Sequence, residues 1–186
     1  MAIQLTLIGL VLKALFANSH LLWVGLLSLL MLAVAGREVM TRQHRRFAGS
    51  WGYGIGVVSM FVSSFSVALF ARIVVVDNEP WYQPQYAVPL LGMLLGNTLN
   101  GIALALDRLT QSAWEQRAVI EARLMLGYSA SEAVSGIRQQ VFRSGLIPII
   151  NAMAAAGIVS LPGMMTGQIL AGIEPVEAVK YQILIM

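Results

Sequence analysis

The stretch DRLTQSAWEQRAVIEARLMLGYSASEAVSGIRQQVFRS, residues 107–144, is the one long charged run in an otherwise apolar chain and holds nine of its 21 charged residues. Within it, Glu121-Ala122-Arg123-Leu124-Met125-Leu126-Gly127 runs into Ser129-Ala130-Ser131-Glu132, where a serine precedes a glutamate by three positions, as in a capping box. That order predicts a helix, a glycine break and a second short helix. Two readings fit such a segment. It can be an amphipathic connector lying on a membrane surface, or a bent helical pair through which a membrane subunit receives force from a soluble partner.

Outside this island the composition settles the class. Hydrophobic residues make up 58% of the 186, charged residues 11%, and the mean hydropathy is +0.74. A soluble domain carries about a quarter of its residues charged, so the chain reads as an all-α, polytopic integral membrane protein. The net charge of +3 is too small to indicate nucleic-acid binding. With no cysteine, disulfides, thiolate metal sites and cysteine catalysis are excluded. His20 and His44 lie far apart in sequence, each at a span end, and read as interfacial or loop side chains.

A spanning helix needs about 20 apolar residues, and the segments 3–17, 21–36, 51–76, 87–106, 145–161 and 176–186 predict about six membrane crossings. The first is short, and the last stops while still apolar. The expectation is one transmembrane permease domain over 1–186, cut at both ends, with 107–144 as a cytosolic loop inside it. Asn18-Ser19-His20 supplies a first turn, and the segment from Asp77 to Pro84 suits a headgroup-level loop. Met1 is followed by no basic region, which argues against a signal peptide.

Orientation follows from arginine and lysine, which short loops retain on the cytoplasmic side. Arg37, Arg42, Arg45 and Arg46 follow the second segment, and Arg108, Arg117, Arg123, Arg138 and Arg143 lie in the island. The opposite loops hold none. Lys13, Arg72 and Lys180 then fall toward the outer ends of their helices, where snorkelling accounts for them.

Within the spans, Gly52-x-x-x-Gly56, Gly92-x-x-x-Gly96 and Gly163-x-x-x-Gly167 predict close helix approach. Asn97 and Asn100 share a helix face, and Asn151 lies in the fifth segment. Amides at such depth either bond helices together or line a path. The stretch from Gly157 to Gly172 is too rich in glycine for a plain helix and too apolar for a plain loop, and Pro175 with Glu177 opens the last segment. Met164 and Met165 have no histidine or carboxylate beside them, so packing is the simpler role.

The strings GIVSLPGMMTGQILAG, EPVEAVKYQI, GNTLNGIALALDRL and EARLMLGYSASEA resemble the FetB family of membrane permeases, the partner half of the FetAB iron exporter, which includes plant relatives of the STAR aluminium-tolerance type. The resemblance covers most of the chain and is most specific at Gly157 to Gly172. It implies an ATP-binding-cassette transporter in which a separate ATPase subunit, holding ATP and magnesium, docks on a permease doubled in the inner membrane. Many such permeases carry Glu-Ala-Ala, three residues, then glycine. Here Glu121, Ala122, Arg123 and Gly127 keep that spacing, with arginine for the second alanine. Tyr128, Ser129 and Glu132 complete the coupling set that the resemblance implies. Downstream the pattern departs, since Gln140 stands where that motif ends in proline. Family members also run longer at both ends.

Nothing in the chain predicts catalysis. No GxxxxGK[ST] loop, triad or carboxylate pair is present, so ATP hydrolysis falls to another subunit. The alternative is an ion-driven carrier or channel without an ATPase, which would show internal repeats and a buried ionisable pair. Neither is evident. The expected path is Asn97, Asn100, Asn151, Met164, Thr166 and Gln168, with the last three capping its outer end. No residue set spells a metal site, and the substrate stays open between iron, another metal and other cargo.

The absence of native cysteine makes the topology directly testable. Single cysteines at Arg45 and Gln111 should react with impermeant maleimide only from the cytosol, and one at Gln83 only from outside. External labelling at position 45 would reverse the orientation.

Overall fold

The computed structural model describes residues 2–17, 21–45, 47, 51–74, 84–159 and 161–186. Its elements are helices throughout, in the order α1 (Ala2–Ala17), α2 (Leu21–Thr41), α3 (Trp51–Met60), a π-helical turn (Phe61–Phe65), α4 (Ser66–Val74), α5 (Pro84–Glu115), α6 (Arg117–Met125), α7 (Ala130–Ala133), α8 (Ser135–Ala155), α9 (Gly163–Leu170) and α10 (Pro175–Ile185).

The 32-residue α5 is the element on which the others are assembled. At 1.5 Å per residue it is about 48 Å long, against a hydrocarbon layer of about 30 Å, so it projects from any membrane it crosses. Leu91, Leu95, Leu99 and Ala103 recur every fourth residue and form one buried stripe. Leu32, Ala35 and Val39 of α2 meet that stripe, and Met60 closes it where α3 passes into the π turn. The π turn places buried Ser64 against α5, where its hydroxyl donates to Thr98 Oγ1 at 3.3 Å.

Glycine decides where helices touch. A Cβ on Gly145 of α8 would lie 3.1 Å from the Ala105 Cβ and 3.2 Å from the Gly101 carbonyl of α5. Only bare backbones fit there. Gly52 and Gly56 of α3 serve the seam with α2, facing Met40 and Val39, and Gly92 faces Met31. Gly96, Gly163 and Gly167 have open space around them, so of the three expected glycine pairs one packs through both members, one through Gly92 alone and one not at all.

Among the described residues three helices are long and apolar enough to cross a membrane: Leu21–Thr41, Trp51–Phe70 and Ala87–Glu115. About six were expected. The difference has local causes. Helix α8 begins at Ser135 within the charged island and carries Arg138 and Arg143, so the boundary expected at Gly145 falls inside it. Helices α1 and α10, of 16 and 11 residues, lie at the two ends of the sequence. The stretch expected to be irregular is helical from Gly163 to Leu170, because Pro162 sets an extended N-cap and Thr166 Oγ1 donates back to the Pro162 carbonyl at 3.1 Å. Gly172 then takes φ +89° and ends the helix. The expected turn at Asn18 to His20, the loop from Asp77 to Gln83, Arg46 and Ser160 lie outside the described residues.

Gly145→Val should cost about 1–3 kcal/mol, the usual range for forced overpacking, because the facing atoms at Gly101 are backbone. Gly54→Ala, whose Cβ would meet nothing within 4 Å, should stay near wild type. Thermal unfolding of the two variants in the same detergent checks the contrast.

Candidate functional site: an exposed elbow and an amide-lined cavity

Helix α6 ends in a Schellman motif. The Gly127 N–H donates to the Leu124 carbonyl at 3.0 Å and the Tyr128 N–H to Arg123 at 3.2 Å, with Gly127 at φ +89°. A side chain there would cost about 1–2 kcal/mol of left-handed strain. Helix α7 restarts at once through a complete capping box: the Glu132 N–H donates to Ser129 Oγ at 3.3 Å, and the Ser129 N–H and hydroxyl donate to Glu132 Oε2 at 2.8 and 2.6 Å. Arg123 Nη1 donates across the bend to the Ala133 carbonyl at 3.1 Å. The sequence therefore folds here as helix, glycine break, helix.

Residues that the sequence reading passed over dominate the elbow's surface. Met125 is 85% exposed and Leu126 78%, with Leu124 and Tyr128 beside them also exposed. Their signal was available: four large apolar side chains crowd one glycine turn inside the only charged island. Glu121 lines a neighbouring cleft of about 630 Å³ with Arg45, Phe47, Trp114 and Arg117. The Arg45 guanidinium lies 4.2 Å from the Trp114 ring centre and that of Arg117 4.9 Å, within cation–π range.

The amides occupy a second place. Arg42, just past α2, donates through Nη1 to Asn100 Oδ1 at 2.9 Å and through Nε to Glu38 Oε1 at 3.1 Å. Asn97, one turn back on α5, donates to the Ile185 carbonyl at 3.3 Å. Both asparagines line a cavity of about 520 Å³ between α5, α9 and α10, with Arg42, Met164 and Gln182. Asn97 also lines a cavity of about 400 Å³ between α5 and α8, with Thr98 and Pro148.

Of the six residues expected on a path, the structure thus brings Asn97, Asn100 and Met164 together. Asn151 lies exposed on α8, Thr166 bonds to its own helix start, and Gln168 keeps a buried Oε1 with no partner. These three are not among the residues lining the two cavities. Arg42, Gln182 and Thr98 were missed, since a loop arginine reaching 58 positions along the chain to Asn100 leaves no local pattern. No group of three or more histidine, cysteine, aspartate or glutamate side chains stands together among the described residues.

The Glu132 carboxyl is held below its usual pKa, first by the Ser129 hydroxyl and then by the Ser129 N–H. A depressed carboxylate stabilises the fold above the unfolded pKa and loses that contribution as pH falls through the folded value. Relative to the intrinsic rate, which itself slows in acid, hydrogen exchange at Ser129 to Ala133 should therefore quicken as pH falls below the ordinary glutamate range. Ser129→Ala, removing a cap worth about 1 kcal/mol, should quicken it at neutral pH too. Exchange unchanged by both would show that the box contributes nothing.

Comparison with known proteins places this geometry in a lineage. The chain is 37% identical over 185 residues to the UPF0014 membrane protein slr1647 of Synechocystis, covering 99% of this chain and 70% of that one. It is 33% identical over 188 residues to the UPF0014 membrane protein STAR2 of Oryza sativa subsp. japonica, covering 99% and 62%. It is 29% identical over 188 residues to the probable iron export permease protein FetB of Escherichia coli, covering 98% and 68%. No solved structure matches. The uncharacterised protein family UPF0014 matches residues 1–186, the full stretch carrying elbow and cavity alike, and the chain belongs to that family of membrane proteins.

Proposed function

We propose that the chain is the membrane permease of an ATP-binding-cassette transporter, moving iron or another metal outward while a separate ATPase subunit hydrolyses ATP. It would sit in the inner membrane as a multi-pass protein, with about six crossings once the flanking short helices are counted, and with the 107–144 island in the cytosol. Two copies related by a two-fold axis would match two nucleotide sites. ATP and magnesium belong to the partner. The permease itself performs no catalysis.

The observation that carries this reading is the elbow. Met125, Leu126 and Tyr128 stand exposed around a glycine whose backbone no other residue adopts without strain, and the capping box beneath holds the bend. Exposed apolar side chains on a rigid, highly charged projection are suited to insertion in a partner's groove. Glu121, Ala122, Arg123, Gly127, Tyr128, Ser129 and Glu132 would build and orient this knob. The name of the Escherichia coli relative supports the cargo class. The amide cavity supports a path in which Asn97, Asn100 and Met164 take part, with Asn151, Thr166 and Gln168 further along it. Neutral amides hold a passing polar solute weakly, as release requires.

Met125→Asp combined with Leu126→Asp should abolish co-purification of the ATPase and its stimulation by the permease, while membrane yield and thermal stability stay unchanged. Gly127→Val should weaken coupling at least tenfold. If both variants bind and stimulate the ATPase like wild type, the elbow is not the docking site.

A further inference from the structure

The cavity between α5, α9 and α10 has an electrostatic character that its size does not reveal. Among its lining residues one is charged, and it is a cation, Arg42; the polar remainder is Asn97, Asn100 and Gln182, with the Met164 thioether. Among the described residues no aspartate, glutamate or histidine lines it, nor the adjoining cavity at Asn97. A bare di- or trivalent metal ion prefers hard anionic oxygen ligands, and here it would meet a guanidinium.

Arg42 is placed to receive an anion. Its partner Glu38 is not among the lining residues, and both side chains of that pair are 48% exposed. An exposed ion pair contributes almost nothing net, so a carboxylate or phosphate arriving in the cavity can replace Glu38 at little cost. Asn100 Oδ1 meanwhile orients the guanidinium through a 2.9 Å hydrogen bond, which leaves its other N–H donors available in fork geometry. The Asn100 side-chain N–H₂ is a further donor among the lining residues. Gln182 keeps a buried Oε1 without a partner, an acceptor suited to a hydroxyl of the same molecule.

We infer that this cavity takes its cargo as an oxyanion, with Arg42 as the recognition residue. A metal would then travel wrapped in an anionic carboxylate complex, not as a naked cation. This deepens the transporter reading and rests on it.

Calorimetry on the full-length permease alone, in nanodiscs, tests the inference without the ATPase, so a failed docking experiment leaves it untouched. The probes are citrate, ferric citrate and ferrous ion alone. Saturable binding of a carboxylate probe is expected, weakened at least tenfold by Arg42→Gln and partly restored by Arg42→Lys, with none for ferrous ion. Equal binding of citrate and ferric citrate identifies a free organic anion as cargo; binding of ferric citrate alone identifies the metal complex. Should Arg42→Gln fail to fold, Asn100→Asp supplies a fixed carboxylate to Arg42 and should cost the same affinity. The inference is overturned if neither carboxylate probe binds, if their binding survives these variants unchanged, or if ferrous ion binds saturably to wild type.

Discussion

Asn100, Asp107 and Trp114 follow one another at seven-residue intervals along α5, and two helical turns return each to nearly the same face. Each is met by the segment that leaves α2: Arg42 donates to Asn100, the His44 N–H donates to Asp107 Oδ1 at 2.8 Å, and Arg45 stacks on Trp114. Taken singly these contacts are weak, since an exposed cation–π pair is worth about 0.5–1 kcal/mol. Their common register is what matters. It straps four residues of chain along some 20 Å of projecting helix, taking 1.5 Å per residue, and so fixes how α2 and α5 slide past one another. The lower rung is the rim of the amide cavity, and the upper rung is the cleft that includes Glu121 at the base of the elbow. Arg117, the first residue of α6, stacks on the same Trp114 ring, so the strap and the elbow share one contact on α5.

Much of this fold was legible because lipid and helix leave local marks. Composition alone gives an all-helical membrane protein, and Ser129, Glu132 and Gly127 spell a capped bend whose hydrogen bonds the structure contains in full. The legible parts share one property: the interacting residues sit within five positions of one another. Arg42 with Asn100, His44 with Asp107 and Ser64 with Thr98 are separated by 58, 63 and 34 positions, and no periodicity reports them. The boundaries of the spans are less legible for a different reason. Hydropathy registers where apolar residues run, whereas the start of α8 is set by backbone propagation from Ser135 through arginines that a hydropathy boundary excludes.

Glycine shows the same division. Paired glycines one turn apart predicted close approach at three places, and Gly163 and Gly167 face empty space instead. Gly101 and Gly145, the glycines that meet each other's backbone across two helices, belong to no such pair. A small-residue motif states that a helix can be approached; whether another helix arrives depends on the stagger of both. At α5 and α8 that stagger places Ala105 one turn beyond Gly101, so three small residues on two helices make one contact surface. Pro148, three positions past Gly145, removes a helical N–H at the wall of the adjoining cavity. The helix that packs most closely on α5 is therefore also locally weakened beside it.

That combination bears on how such a cavity can open. A polar group facing an apolar surround is expensive unless bonded, and those around α5, only Ser64 among them fully buried, hold partners of a replaceable kind: Asn97 to a carbonyl at 3.3 Å, Ser64 to Thr98 at 3.3 Å, Arg42 to an exposed carboxylate. Each is long or solvent-screened, so breaking it costs little when a substitute donor or acceptor is at hand. The substitute can be the cargo or, when helices shift, water entering from the Arg42 side. Strong pairing would lock the helices, and wholly apolar lining would give a passing polar solute nothing to exchange. Weak, mutually replaceable hydrogen bonds on α5 satisfy both demands, and those at Asn97 and Thr98 lie within one helical turn of Asn100, the lowest rung of the strap that links this helix to the elbow.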